Sequence, residues 1–329
     1  MLRLPPFEYL APKTLDEAVA LLDQHANEAM IVAGGTDLFP NMKRRQFDPK
    51  VLVGLSGLPE LNGVKNGLGY RIGAATTLSA LSRDKKLHAD YPALTTAAGL
   101  VSSPQLRNAG TIGGNLCLDT RCNYYDQTYF WRKSIGFCMK KDGDICLVAP
   151  GGHRCWAISS TDCAPVAVAL DARVRLVGPR GSREIPAAAL YRDDGMEYLS
   201  KARDEILTEL VLPPADGVKS VYLKLRRRGS IDFPILGVAA ALRVAPDGTV
   251  QHARVVLGAI ASHPVEASEA VKILIGQKLE PDVIAAAAEA AYKPAKPMDN
   301  ADASYAWRKK MVRVYVERAL IELKGKVVA

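Results

Sequence analysis

No stretch of this 329-residue chain is apolar for long enough to span a membrane. The N-terminus, Met1-Leu2-Arg3-Leu4-Pro5-Pro6, places two prolines where a secretory signal needs an apolar core. A cytoplasmic protein is therefore expected. The G-x-G-x-x-G fingerprint is missing, as is the Lys-Ser/Thr end of a P-loop, which excludes the two commonest nucleotide-binding signatures. No acid–base or nucleophile constellation stands out, so no catalytic residue is assigned. No internal repeat is visible. Only six cysteines are present, and the inner four lack the C-x2–4-C pairs of structural zinc sites. In a large reduced protein such cysteines are expected as metal ligands or buried thiols rather than disulfides.

What is present is an ordinary globular composition, 48% hydrophobic and 24% charged, of a length that suits two or three domains. The net charge of +8 suits a phosphate-bearing cofactor or an acidic partner. Nucleic acid is a rival reading. Against it, the densest basic runs are short (Lys43-Arg44-Arg45, Arg226-Arg227-Arg228, Arg308-Lys309-Lys310), and solvated charge is the default.

Thr14-Leu15-Asp16-Glu17 predicts a capping box opening a helix with Leu15, Ala18, Val19 and Leu22 on its apolar face. Strands are predicted at 29–33, 51–55, 70–74, 173–177, 205–212, 221–225 and 253–259. Helices are predicted at 91–101, 164–170, 265–276, 281–292 and 303–324. The alanine run Ala285 to Ala288 reads as helix.

Two glycine turns, Gly34-Gly35-Thr36-Asp37 and Thr111-Ile112-Gly113-Gly114-Asn115, sit where backbone must approach something closely. Successive N–H groups in such turns form anion-binding nests, so the pair is expected to grip one pyrophosphate from both sides. Two ordinary tight turns are the bland alternative.

Between the second turn and Asp162 lie Cys122, Cys138, Cys146 and Cys155, spaced C-x15-C-x7-C-x8-C. Seven of the chain's 21 aromatics fall between residues 122 and 156, which predicts a small packed lobe. A lobe of that size needs a staple, and a metal centre supplies one. Four thiolates suit one iron–sulfur cluster, here [4Fe–4S]. Zinc, a disulfide pair or unrelated buried thiols are the alternatives. Cys117 or Cys163 remains a substitute for one of the four, and His153 a further candidate.

Phe7-Glu8-Tyr9 with Pro12, Ala33 to Leu38, Ile72-Gly73-Ala74, and Thr111 to Asn115 together resemble the flavoprotein subunit of the molybdenum hydroxylase family. The likeness continues through Asp162 with Pro165, Glu205 to Pro213, Tyr222-Leu223-Lys224 with Arg228 and Asp232, and Pro297, Asp299, Tyr305 and Arg308. It covers nearly the whole chain apart from the cysteine segment. It implies an α+β protein with a two-part FAD-binding region: subdomain 1 at 1–60, then subdomain 2 at 61–215 with an iron–sulfur insertion at about 116–157. A C-terminal α+β domain with a small antiparallel sheet and helices follows at 216–329.

The resemblance implies FAD held by Ile31, Val32, Ala33, Gly34, Gly35, Thr36 and Asp37 on one side. Thr111, Ile112, Gly113, Gly114 and Asn115 stand on the other. The resemblance also implies Asp162 near the ribityl chain, Val101 and Leu207 as apolar contacts to the flavin, and Lys224 near the isoalloxazine ring. Asp162 is also expected as a helix N-cap. The cysteine lobe further resembles a reductive branch of the family that converts 4-hydroxybenzoyl-CoA to benzoyl-CoA in anaerobic aromatic degradation. This chain is then an electron-transfer subunit, fed by a ferredoxin. It serves a molybdopterin-containing large subunit and a [2Fe–2S] small subunit, with no nucleic acid or membrane partner. An ordinary hydroxylase subunit passing electrons out to NAD or another acceptor is the alternative, and a flavin-free, zinc-stapled binding module a second.

Overall fold

A computed structural model describes residues 2–328. Thr14 opens the first helix, Leu15–His25, its hydroxyl accepting from the Glu17 amide at 3.2 Å. The Glu17 carboxylate turns to the Lys13 amide (2.6 Å), so only half of the expected capping box forms. Ala18, Val19 and Leu22 are buried against a small parallel sheet. Its strands are β1 (Glu8–Leu10), β2 (Ala29–Val32) and β3 (Val51–Gly54), with β3 central. Every residue of β3 is buried, which is why it reads as an unbroken apolar run.

The second sheet holds β4 (Val64–Gly67), β5 (Gly69–Gly73), β6 (Arg173–Gly178), β7 (Gly181–Pro186) and β8 (Ile206–Leu212) in the order β4-β5-β8-β6-β7, antiparallel throughout. In β6, Val174 and Leu176 point into the core while Arg173 and Arg175 stay exposed, the predicted alternation. Residues 74–172 form one long excursion between β5 and β6. It carries the helix Pro92–Leu100, the second glycine turn, the cysteine lobe, and the helix Cys163–Ala169, which is buried at all seven positions.

The third sheet comprises β9 (Lys219–Leu225), β10 (Leu236–Val244), β11 (Val250–Gly258) and β12 (Val265–Glu266), antiparallel in the order β12-β11-β10-β9. The helices Ser268–Leu274, Pro281–Tyr292 and Tyr305–Val328 share its second core. The helix expected from residue 265 starts three residues later, because Val265 and Glu266 pair with β11. Arg308 is wholly buried and donates to the carbonyls of Met298 (3.1 Å) and Ala259, tying the last helix to the sheet.

The cysteine lobe has one helix, Tyr129–Ser134; the rest is turns. The lobe is packed, as its aromatic density predicts: Cys122, Tyr125, Cys138, Cys155 and Ala157 form a buried cluster with Tyr124, Met139, Leu147 and Val148 against it, while Phe130 stays 79% exposed. Polar anchors also fix the lobe. Arg132 donates to the carbonyls of Arg44 (3.2 Å) and Arg45 (3.0 Å), Gln46 Nε2 to Tyr125 O (2.6 Å), and the Asn123 amide to Asn300 O (2.9 Å). The lobe is thereby held by both the first α/β unit and the C-terminal region. No helix of the described residues is long and apolar enough to cross a membrane.

Candidate functional site

The first glycine turn leaves the end of β2 and leads into the helix Leu38–Lys43. Gly35 has φ +66°, a conformation that favours glycine. A Cβ on Gly34 would overlap the Ala109 carbonyl. Among the described residues, the amides of Gly34, Gly35 and Thr36 donate to no protein acceptor. They leave three adjacent donors for an anion.

The second turn differs. It forms the short helix Ile112–Leu116, and its amides are already used. Ile112 N donates to Thr76 O (3.0 Å), Gly113 N to Ala74 O (2.8 Å) and Gly114 N to Thr111 Oγ1 (3.1 Å). The expected pair of nests is therefore corrected to one. Glycine is needed at 113 for packing, since a Cβ there would lie 2.7 Å from that of Ala74.

Asn115 links this turn to the next helix. Its Oδ1 accepts from Thr161 Oγ1 (2.6 Å) and from the Cys163 amide (3.1 Å), and Thr161 Oγ1 accepts from the Ala164 amide (3.2 Å). Thr161 and Asn115 thus do the capping expected of Asp162, whose side chain makes no cap bond. The Asp162 carboxylate instead accepts from Tyr222 Oη (2.8 Å) and Lys224 Nζ (2.9 Å). Burial pushes the Asp162 carboxyl above its ordinary range, opposed by the Lys224 ammonium and the Tyr222 hydroxyl. Lys224 also donates to Leu100 O at 3.0 Å.

These elements enclose a cleft of about 930 Å³, within the ~300–1,000 Å³ of small-molecule sites. Ile31, Val32, Ala33, Gly34, Gly35, Thr36, Asp37, Val101, Thr111, Gly113, Gly114, Asn115, Asp162 and Leu207 line it. Ile112 and Lys224 do not. Ile112 is fully buried in the central core, and Lys224 meets the cleft only through Asp162. Arg121 is a lining residue that no sequence pattern announced. It pairs with Asp37, donates to Asn41 Oδ1 (3.0 Å) and lies 4.9 Å from the Phe233 ring centre. Its position just before Cys122, inside the added lobe, is the reason no turn or strand motif points to it.

Cys122, Cys138, Cys146 and Cys155 are buried and free, and all four line a second, smaller cavity. Burial pushes the Cys122 thiol up to about 12 and that of Cys155 to about 11. As free thiols both are neutral and unreactive at pH 7. Among the described residues, no three His, Cys, Asp or Glu side chains are grouped as a single metal ion requires. Cys117 lines the larger cleft, and Cys163 lies in the central core at the start of its helix; neither these two nor His153 lines the cysteine cavity. Tyr125 and Lys140 line both cavities.

Residues 5–215 match the family described as FAD binding domain in molybdopterin dehydrogenase, and residues 220–323 the CO dehydrogenase flavoprotein C-terminal domain. The chain is 31% identical over 318 residues to the carbon monoxide dehydrogenase medium chain of Hydrogenophaga pseudoflava, covering 96% of each. It is 27% identical over 321 residues to the nicotinate dehydrogenase FAD-subunit of Eubacterium barkeri, again covering 96% of each. Its fold is similar to the solved carbon monoxide dehydrogenase from H. pseudoflava lacking the Mo-pyranopterin moiety, with TM-score 0.81, 30% identity and 97% of each chain covered.

Proposed function

The chain belongs to the xanthine dehydrogenase/carbon monoxide dehydrogenase family of molybdenum hydroxylases as an FAD-binding medium subunit, and on that premise we propose that it carries FAD and a [4Fe–4S] cluster for electron transfer. One observation carries the reading. Four cysteines without a short-range motif converge on one cavity, and that cavity shares a wall with the glycine-lined cleft.

The residues suit both groups. The free amides of Gly34, Gly35 and Thr36 are donors for a pyrophosphate. The Thr111 to Asn115 turn braces the opposite wall, and Val101 and Leu207 give apolar surface for a flavin ring. Asp162, held by Tyr222 and Lys224, is a fixed carboxylate on the cleft wall that would accept from the ribityl hydroxyls of a bound flavin. Lys224 places a cation behind that carboxylate. Four thiols are the donor set of a [4Fe–4S] cluster, and their spacing lacks the short C-x2–4-C pairs of structural zinc sites. When bound, FAD exchanges electrons singly or in pairs and the cluster exchanges them singly.

The reaction we propose is that of 4-hydroxybenzoyl-CoA reductase, in which 4-hydroxybenzoyl-CoA loses its phenolic hydroxyl to give benzoyl-CoA. This subunit takes electrons from a ferredoxin-like donor. It delivers them to a [2Fe–2S] small subunit and a molybdopterin-containing large subunit, where the substrate is bound. A second reading is favoured by the names of the relatives, which are dehydrogenases: electrons would leave through FAD to NAD or another acceptor.

The assembled complex with Cys138→Ala/Cys146→Ala tests the choice. Loss of ferredoxin-driven benzoyl-CoA formation with FAD retained supports the reductive reading. Full ferredoxin-driven activity in that variant sinks it.

A further inference from the structure

Lys140 sits in the wall between the two cavities. Its ammonium donates to Asp119 Oδ1 (2.8 Å), Thr120 Oγ1 (2.7 Å) and Gly195 O (2.6 Å). The Lys140 and Asp119 side chains are 6% and 5% exposed. The same ammonium lies 4.8 Å from the Tyr125 ring centre and 5.4 Å from that of Tyr198. Asp119 lines only the larger cleft, whereas Lys140 lines both. Of the pair, only Lys140 also borders the cysteine cavity, and its ammonium holds the carbonyl of Gly195, whose amide donates to Cys155 O at 2.9 Å.

A lysine needed only to pin the lobe would be out of place here. Arg132, Gln46 and Asn123 already anchor it elsewhere. A buried ammonium needs dedicated partners, and Asp119 Oδ2 is left without one. The pair's position relative to the thiols gives the arrangement its use.

We propose that the Lys140–Asp119 pair sets the reduction potential of the centre held by Cys122, Cys138, Cys146 and Cys155, with Lys140 as the positioning charge that favours the reduced form. This rests on the cluster reading above. The step is the addition of one electron to that centre, with no proton transferred and no bond made or broken. Reduction adds negative charge, which the nearby cation stabilises and the anion opposes. In the low-dielectric wall a unit charge acts strongly, at an effective dielectric near ~20. Removing it is expected to change the reduced-to-oxidised ratio at fixed potential about tenfold, ~59 mV for one electron.

The test is an EPR-monitored potentiometric titration of the assembled complex, with dithionite and mediators, on wild type, Lys140→Gln, Asp119→Asn and the double variant. Iron, sulfide and flavin are measured on each. The expected result is a lower potential in Lys140→Gln, a higher one in Asp119→Asn, and a return toward wild type in the double variant. A purely structural role predicts no shift, or shifts of one sign, and either overturns the proposal. If Lys140→Gln loses its iron, Asp119→Asn decides alone: an upward shift supports the proposal, and no shift or a downward one overturns it. Wild type without iron and sulfide would instead remove the cluster reading, and this inference with it.

Discussion

Lys224 and Asp162 form an ion pair at 2.9 Å in which the two side chains are only 1% and 3% exposed. The lysine comes from β9 in the third sheet, and the aspartate from the turn that opens the buried helix Cys163–Ala169. One interaction therefore ties the C-terminal sheet to the rim of the cofactor cleft.

Breaking one side of that pair leaves a buried charge alone. Lys224→Met is expected to cost about 3–5 kcal/mol, read as a fall in urea-unfolding free energy. Removing both charges, as Lys224→Met/Asp162→Leu, should cost much less. Equal losses in the single and double variants would contradict a coupled pair.

Gly34 packs against backbone, which cannot swing aside. Gly34→Ala drives a methyl into the Ala109 carbonyl, an overpacking cost of about 1–3 kcal/mol, and displaces the three free amides. Flavin absorbance per chain should fall well below wild type. Gly57→Ala, outside the cleft, meets no atom within 4 Å and should keep its flavin. Full flavin content in Gly34→Ala would show that the first loop does not grip the cofactor.

Arg132 is 1% exposed and fixes the cysteine lobe to the backbone of Arg44 and Arg45. Arg132→Leu removes these charge-assisted bonds, each worth roughly 1.5–3 kcal/mol. The expected outcome is faster limited proteolysis between residues 122 and 156 with FAD retained. A global loss of stability without cleavage in the lobe would contradict a local anchor.

How far the sequence revealed this molecule is visible in such residues. The capping threonine, the amphipathic first helix and the alternating β6 all carry a local period, and all were legible. Strand β10 was not: its residues Leu236 to Leu242 are buried on both faces, so no two-residue alternation survives, and an Ala-rich run reads equally as helix. The glycine turns were legible as close approaches. Which of their amides remain free was not, because the partners, Ala74 and Thr76, lie almost 40 residues away in sequence. Arg121 and Lys140 were not legible because their partners are remote in sequence, Asp37 lying 84 residues from Arg121 and Gly195 55 from Lys140.

Two carboxylates set part of the acid response. Hydrogen bonds from Arg183 and Arg71 hold Glu205 and Glu209 below the ordinary glutamate range. The folded state then binds fewer protons than the unfolded one. The stability these pairs give is complete above the unfolded value of about 4.3 and is lost as pH falls through the folded values. The glutamates are 11% and 16% exposed but their arginine partners 44% and 42%, so solvent screening holds each pair to at most about 1 kcal/mol. Urea midpoints should hold between pH 7 and 5 as far as these groups are concerned and drop below about 4.5, with a shallower drop in Glu209→Gln. An unchanged slope in that variant would contradict the assignment.

The central claim is that a flavin and an iron–sulfur centre share this chain. Its most direct test is iron, acid-labile sulfide and FAD per chain on anaerobically purified protein, with an EPR spectrum after dithionite reduction. About four iron and four sulfide with one FAD, and a reduced-cluster signal that disappears in Cys138→Ser, are the predicted result. One FAD with neither iron nor sulfide, under conditions that exclude oxidative loss, would contradict the cluster and return the chain to the ordinary oxidative flavoproteins of its family.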